Sequence, residues 1–230
     1  MTTVYIISAP SGSGKSTLVD KAREMVPGLE FSISYTTRPP RGKEQNEREY
    51  FFVTRPEFEE MKRRGEFLEW ADVFGNYYGT AERFLRQAEQ NGHDLLLDID
   101  VQGAAEIKRK LPQAVSIFIM PPDRKTLESR LRKRSLDAEE VIQRRLVTAS
   151  REIENYEKYD YILINDRLEE SIAGLMAILL AERLKRSGVP RSADVAETLA
   201  RAEGCRLSNL RERLQPILAS FATAATSGGR

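Results

Sequence analysis

Three mainly apolar runs mark the chain at Leu95–Ile99 (LLLDI), Val115–Ile119 (VSIFI) and Tyr161–Ile164, and Val4–Ser8 makes a fourth. Each has the length of a strand rather than a helix, and runs without polar alternation belong in a sheet covered on both faces. Between them lie segments of helical composition: Thr17–Met25, stopped by Pro27-Gly28, then Ala81–Gln90, Val101–Lys110 and Leu168–Arg186. Strand followed by helix, repeated, predicts an α/β fold with a mostly parallel sheet flanked by helices. Ligands in such folds bind at the carboxyl ends of the strands.

Two segments interrupt the alternation. Residues 34–80 hold short strand-like pieces (Tyr50–Val53, Phe67–Val73) around a helix that starts at Thr54, where Thr54 and Glu57 have capping-box spacing. This stretch is expected to be an inserted subdomain. Residues 123–158 are helical in pattern and rich in arginine, with Asp123 and Asp137 as expected N-caps and Asp137/Glu140 again at capping-box spacing. From 187 the composition changes. Two short helices are expected around 193–203 and 207–220, then a disordered Ala-Thr-Ser-Gly-Gly-Arg end.

Length and charge narrow the function. The 230 residues, 40% hydrophobic, suffice for one domain with a substantial core. Lys+Arg 36 against Asp+Glu 35 gives a net charge of +1, unlike the one-sided basic surface of a nucleic-acid binder. Cys205 is the only cysteine and His93 the only histidine, which excludes an intramolecular disulfide and a cysteine-based zinc site. No apolar run approaches the ~20 residues of a membrane span. A cytoplasmic protein with no membrane partner is expected.

The strongest chemical signal lies between the first strand and the first helix. Ala9-Pro10-Ser11-Gly12-Ser13-Gly14-Lys15-Ser16 follows the phosphate-loop pattern except at its first position, where alanine replaces glycine. Gly12 and Gly14 let successive N–H groups turn inward, and the following helix adds its positive end. Lys15 is then suited to the β- and γ-phosphates of ATP, and the Ser16 hydroxyl to Mg²⁺. A plain strand–turn–helix explains the glycines but not the Lys-Ser that follows them.

The motif belongs to a longer collinear set: SAPSGSGKST (8–17), SYTTRPPR (34–41), EYFFV (49–53), FLEWADVFGNYYGT (67–80), LLLDIDVQGA (95–104), the arginine-rich 130–145 and YILIND (161–166). Together they resemble the guanylate kinase family over roughly positions 4 to 186. The resemblance implies transfer of the γ-phosphoryl group of ATP to GMP, with Mg²⁺. It also implies a layout: a kinase domain over 1–186, with core 1–33, 81–122 and 159–186, a GMP-binding insertion at 34–80 and a lid at 123–158. The extension 187–230 lies beyond it. Every site residue it implies precedes 187, so phosphoryl transfer is expected to be independent of that extension. A homo-oligomer is compatible with the sequence.

Residue by residue, the resemblance places Arg38, Arg41, Tyr50 and Tyr78 on the GMP phosphate, and guanidinium forks suit a dianion. It places Glu69 on guanine, where one carboxylate accepts from N1–H and the N2 amino group. Adenine leaves that carboxylate unpaired, a difference worth ~10⁴–10⁵ in discrimination. Ser34 and Thr80 match the hydroxyl contacts to the base. Asp98 falls near the Mg²⁺–phosphate region and Asp100 near the guanosine, with the choice of direct metal ligand between them open. Arg130, Arg134 and Arg145 match the lid and catalytic arginines, and Asn165 and Asp166 the adenine side of ATP. The chain departs from the family pattern at Glu47, where glycine is frequent, at Lys133 and Ser135 in the lid, and at Arg167, where an acid is usual. Two other readings stand beside the enzyme: a kinase-like module that binds protein ligands, and a P-loop kinase acting on another phosphorylated small molecule.

Overall fold

The computed structural model describes residues 2–73, 75–134, 138–187 and 192–222, without the side chains of Arg134 and Ser187. Phe74, Ser135, Asp137 and the Ala-Thr-Ser-Gly-Gly-Arg end expected to be disordered lie outside the described residues. In chain order the elements are β1 (Val4–Ser8), α1 (Lys15–Met25), β2 (Leu29–Ser32), β3 (Tyr35–Thr36), β4 (Phe51–Phe52) and α2 (Arg55–Arg63). There follow β5 (Phe67–Val73), β6 (Asn76–Ala81), α3 (Glu82–Asn91), β7 (Asp94–Asp98), α4 (Val101–Lys110) and β8 (Val115–Met120). The remainder comprises α5 (Arg124–Arg134), α6 (Glu139–Ile153), β9 (Tyr161–Ile164), α7 (Leu168–Ser187), α8 (Ala193–Glu203) and α9 (Leu207–Ala222). The chain forms two compact units, Met1–Ile7 with Pro27–Ser116 and Ser8–Val26 with Ile117–Arg230.

In the first unit β1 and β2 each pair in parallel with β7. All five residues of β1 are buried, its four apolar residues followed by Ser8. The buried Asp94 that opens β7 accepts a hydrogen bond from the Thr3 N–H at 2.8 Å, so its burial is compensated. A second sheet in the order β4-β3-β6-β5 combines one parallel and two antiparallel pairings. It encloses its own aromatic core of Tyr35 and Phe58, joined by Phe51, Phe67, Trp70 and Tyr77. Helix α2 begins with the expected capping box: the Glu57 N–H donates to the Thr54 hydroxyl, and the Thr54 N–H donates to the Glu57 carboxylate at 2.7 Å. Strands β2, β3 and β6 escape prediction from the sequence, because each is too short or too polar to show an apolar run.

In the second unit β8 pairs in parallel with β9, and all six residues of β8 are buried. The pairs β1–β7, β2–β7 and β8–β9 are thus all parallel, which is the α/β arrangement expected. Asp123 caps α5 as predicted, accepting from the Thr126 N–H at 2.6 Å. The prediction for α6 needs correction. Its N-cap is Ala138, with no side-chain cap, because the helix starts at Glu139 and the Asp137/Glu140 spacing therefore misses the cap and third positions. Arg132 of α5 instead pairs with Glu139 of α6 and with Glu128 of its own helix.

The described part of the extension, residues 192–222, is mainly helical. Helix α8 packs on α7, and α9 packs on α5, α6 and β9, burying Leu210, Leu214, Ile217 and Phe221. Just before α9 the chain lies along β9: the Ile162 N–H donates to the Cys205 carbonyl at 2.8 Å, and Tyr161 and Arg206 form an antiparallel bridge. The Arg206 guanidinium sits 4.3 Å above the Tyr161 ring and 3.2 Å from the Glu182 carboxylate, which also accepts from Lys185 and the Tyr161 hydroxyl.

Candidate active site

The second unit holds the phosphate-loop residues. Gly12 and Gly14 have φ of 91° and 89°, values that L side chains rarely adopt. Both glycines are also crowded. A Cβ on Gly14 would lie 2.3 Å from the Asn165 amide, and one on Gly12 would lie 2.9 Å from Leu131. The turn closes by a hydrogen bond from the Ser13 N–H to the Pro10 carbonyl at 3.1 Å. Helix α1 then starts at Lys15, two residues earlier than predicted, because Gly14 serves as its N-cap. No side chain caps this helix and no acid occupies its first turn, so its positive end is left to an anion. Ser11 and Ser16 are exposed, while Ala9 and Lys15 are half-buried.

Asn165 ties three pieces of this unit together. Its side chain is 5% exposed and donates to the Ser13 carbonyl at 2.6 Å. Its own carbonyl accepts from Arg130 Nη2 at 3.0 Å. Arg130 thus reaches the loop through one residue, and its Nη1 is buried with no hydrogen bond in the structure. The family resemblance puts Asn165 beside adenine; the structure puts its amide under the phosphate loop. Asp166, its neighbour, is exposed, and Arg145 is half-buried on α6. The side chain of Arg134 lies outside the described residues.

The first unit holds the residues assigned to GMP. Glu69 on β5 is 4% exposed, and its Oε1 accepts from the Thr80 hydroxyl on β6 at 2.6 Å. Its other oxygen lies where a Cβ on Gly103 would be, at 2.6 Å, so only glycine at the start of α4 admits this carboxylate. Burial raises the Glu69 pKa to about 7, opposed by the Thr80 hydrogen bond and reinforced by Asp100 and Glu106. Asp100 caps α4, its Oδ1 accepting from the N–H groups of Gln102 and Gly103 at 3.1 and 2.8 Å. The resemblance gives it only a guanosine role. Ser34 is buried, and Asp98 is half-buried at the carboxyl end of β7.

Arg38 is 6% exposed and lies 5.3 Å from the Tyr50 ring, which meets Tyr78 edge-on at 5.9 Å. The structure brings these three residues together. The arginine pair does not form a simple two-armed clamp. Arg38 donates to Glu44 at 3.0 Å, and the same carboxylate accepts from the backbone N–H of Arg41 at 2.7 Å, while the Arg41 side chain stays exposed. Sequence reasoning misses Glu44. Its signal is a carboxylate three residues after Arg41 in a tight turn, a pattern common on any polar loop.

A profile of the guanylate kinase family matches residues 1–182. The chain belongs to the guanylate kinase family. A guanylate kinase from Koribacter versatilis is 58% identical over 225 residues, covering 96% of this chain and 97% of that protein. The guanylate kinase of Escherichia coli K12 is 47% identical over 187 residues, covering 80% of this chain and 90% of its own. A crystal structure of guanylate kinase from Anaplasma phagocytophilum superposes with a TM-score of 0.64 at 31% identity, covering 94% of both chains. Family membership accounts for the collinear motifs, while the extension past residue 182 lies outside the family profile.

Proposed function

We infer that this chain is an ATP:GMP phosphotransferase that moves the γ-phosphoryl group of ATP to GMP, giving ADP and GDP. The observation that carries the choice of acceptor is the buried Glu69–Thr80 pair, a carboxylate whose chemistry suits a base with two adjacent donors. An adenine ring offers an acceptor there and leaves the carboxylate unsatisfied, which costs about 1–3 kcal/mol per buried group.

In this reading Arg38, Arg41, Tyr50 and Tyr78 hold the GMP phosphate, with Ser34, Thr80 and Asp100 around the base. The phosphate loop, Lys15 and the start of α1 bind the ATP phosphates. Arg130, Arg134 and Arg145 stabilise charge on the phosphoryl in flight, which needs placement and countercharge more than covalent help. The segment 123–158 acts as the lid. Mg²⁺ fits the donors available: the Ser16 hydroxyl and the Asp98 carboxylate are hard oxygen ligands. Among the described residues no cluster of three His, Cys, Asp or Glu side chains occurs. When bound, the ion neutralises phosphate charge. No described helix is long and apolar enough to cross a membrane, and with one cysteine in the sequence we place the enzyme in the cytoplasm.

The test is a coupled assay for ADP formation with GMP, AMP, CMP and UMP as acceptors. GMP should dominate by orders of magnitude. Equal turnover with AMP overturns the assignment of the acceptor.

A further inference from the structure

The sequence leads one to expect an extension past residue 187 that is dispensable for the reaction, yet its last helix grips the helix that carries Arg130. The first turn of α5 has backbone N–H groups with no partner inside the helix. One, at Thr126, is taken by Asp123. Another, at Arg124, donates to the hydroxyl of Ser220 on α9 at 3.1 Å, and that hydroxyl in turn donates to the Ile217 carbonyl at 2.6 Å. One turn further on, α5 turns Leu127 and Leu131, 0% and 1% exposed, toward the phosphate loop. They fill the space that a Cβ on Gly12 would need, at 3.1 and 2.9 Å. On the same helix Arg130 donates to the Asn165 carbonyl, and the Asn165 amide holds the Ser13 carbonyl. The tail is therefore two packed contacts from the loop. Its own anchorage is firm, through the buried face of α9 and the pairing of Cys205 with β9.

We propose that the C-terminal extension is a positioning element of the phosphoryl-transfer machinery: α9 holds the start of α5 through Ser220, and α5 in turn sets the phosphate loop and Arg130. This role rests on the assignment of Arg130 and the loop to phosphoryl transfer. Ser220 touches no reacting group and acts through α5. Interiors are close-packed, so a displaced helix end shifts what rests on it. The GMP-side residues belong to the other unit and should not respond.

The experiment uses the full-length chain with Ser220→Ala, Ser220→Thr, Leu214→Ala and Arg130→Ala, measuring kcat, both KM values and the melting temperature. Ser220 is half-buried, so loss of one oxygen leaves the protein folded. Ser220→Ala should lower kcat about tenfold, within the ~10² that a 1 Å misplacement costs, with the KM for GMP unchanged. Ser220→Thr should restore it. Leu214→Ala, which empties a 0% exposed position on α9, should also lower kcat at temperatures where the protein is fully folded. If Arg130→Ala cripples turnover while Ser220→Ala and Leu214→Ala keep kcat within twofold, the extension only stabilises the fold and the proposal is overturned. If Arg130→Ala itself leaves kcat intact, the assignment of Arg130 fails, a result distinct from the first.

Discussion

A carboxyl group at 4% exposure with Asp100 and Glu106 nearby resists ionisation, and Glu69 is held at a pKa of about 7 for that reason. The sequence alone suggests a carboxylate ionised at neutral pH; burial instead raises its pKa toward neutrality. Guanine needs the ionised form, so the KM for GMP should fall as pH rises through about 7 and level off above it. Glu69→Gln should flatten that profile and lose kcat/KM for GMP far more than for AMP; an unchanged GMP-to-AMP ratio means Glu69 does not read the base. The same raised pKa bears on stability. The folded protein holds this proton up to about 7, against an ordinary 4.5 for the unfolded chain. The contribution is present below pH 4.5 and lost as pH rises to about 7, an upper bound of about 3 kcal/mol. Glu47 shows another residue-scale tension. Among the described residues it is the one non-glycine with positive φ, at 67°, where the family often has glycine. The left-handed conformation costs an L residue about 1–2 kcal/mol, and glycine gives back roughly half of that in chain entropy. Glu47→Gly should raise stability by about 0.5–1 kcal/mol in a denaturant titration; a loss means that the Glu47 side chain holds the turn.

Elements whose fate is decided by their own residues were legible in the sequence. β1, β5, α4 and β9 match the predicted spans, since each shows its strand-like or helical composition within its own residues. The Thr54–Glu57 box was readable because both partners lie in one turn. Elements decided by partners far along the chain were not. β3 is two residues long and exists because β4 and β6 flank it. Glu44 and Asn165 act through hydrogen bonds to groups that spacing does not reveal, and Gly103 matters only because Glu69 fills the space above it. The phosphate loop is the element where local and distant causes agree. Its glycines are required both by φ and by Leu131 and Asn165. Lys15→Ala removes the cation that opens α1 and should cut kcat by ~10²–10³, the usual loss for one preorganised electrostatic contact. Near-normal steady-state turnover in that variant rules out the loop as the phosphoryl-donor site.

Over the whole molecule the residues proposed for GMP fall in one unit, and the phosphate loop with Arg130 and Arg145 falls in the other. Variants should sort accordingly. Arg145→Ala on α6 should lower kcat with little change in the KM for GMP, because its charge counts most in the transition state; a raised KM for GMP at intact kcat puts this arginine in the wrong subsite. The mostly parallel architecture was legible from alternation alone, and both tail helices from their spacing. What the tail rests on was not, because its leucine periodicity fits a partner as well as the chain's own surface. The pairing of Cys205 with Ile162 has a consequence for how the protein is made. Chains emerge from the ribosome N-terminus first at about 5–20 residues per second, so the outer edge of β9 waits roughly 2–8 s for residue 205 to follow it. During that interval a nascent chain with all its site residues already synthesised still presents an open strand to its neighbours. Crowded translation of this message is then a stage at which that strand edge is open to aggregation.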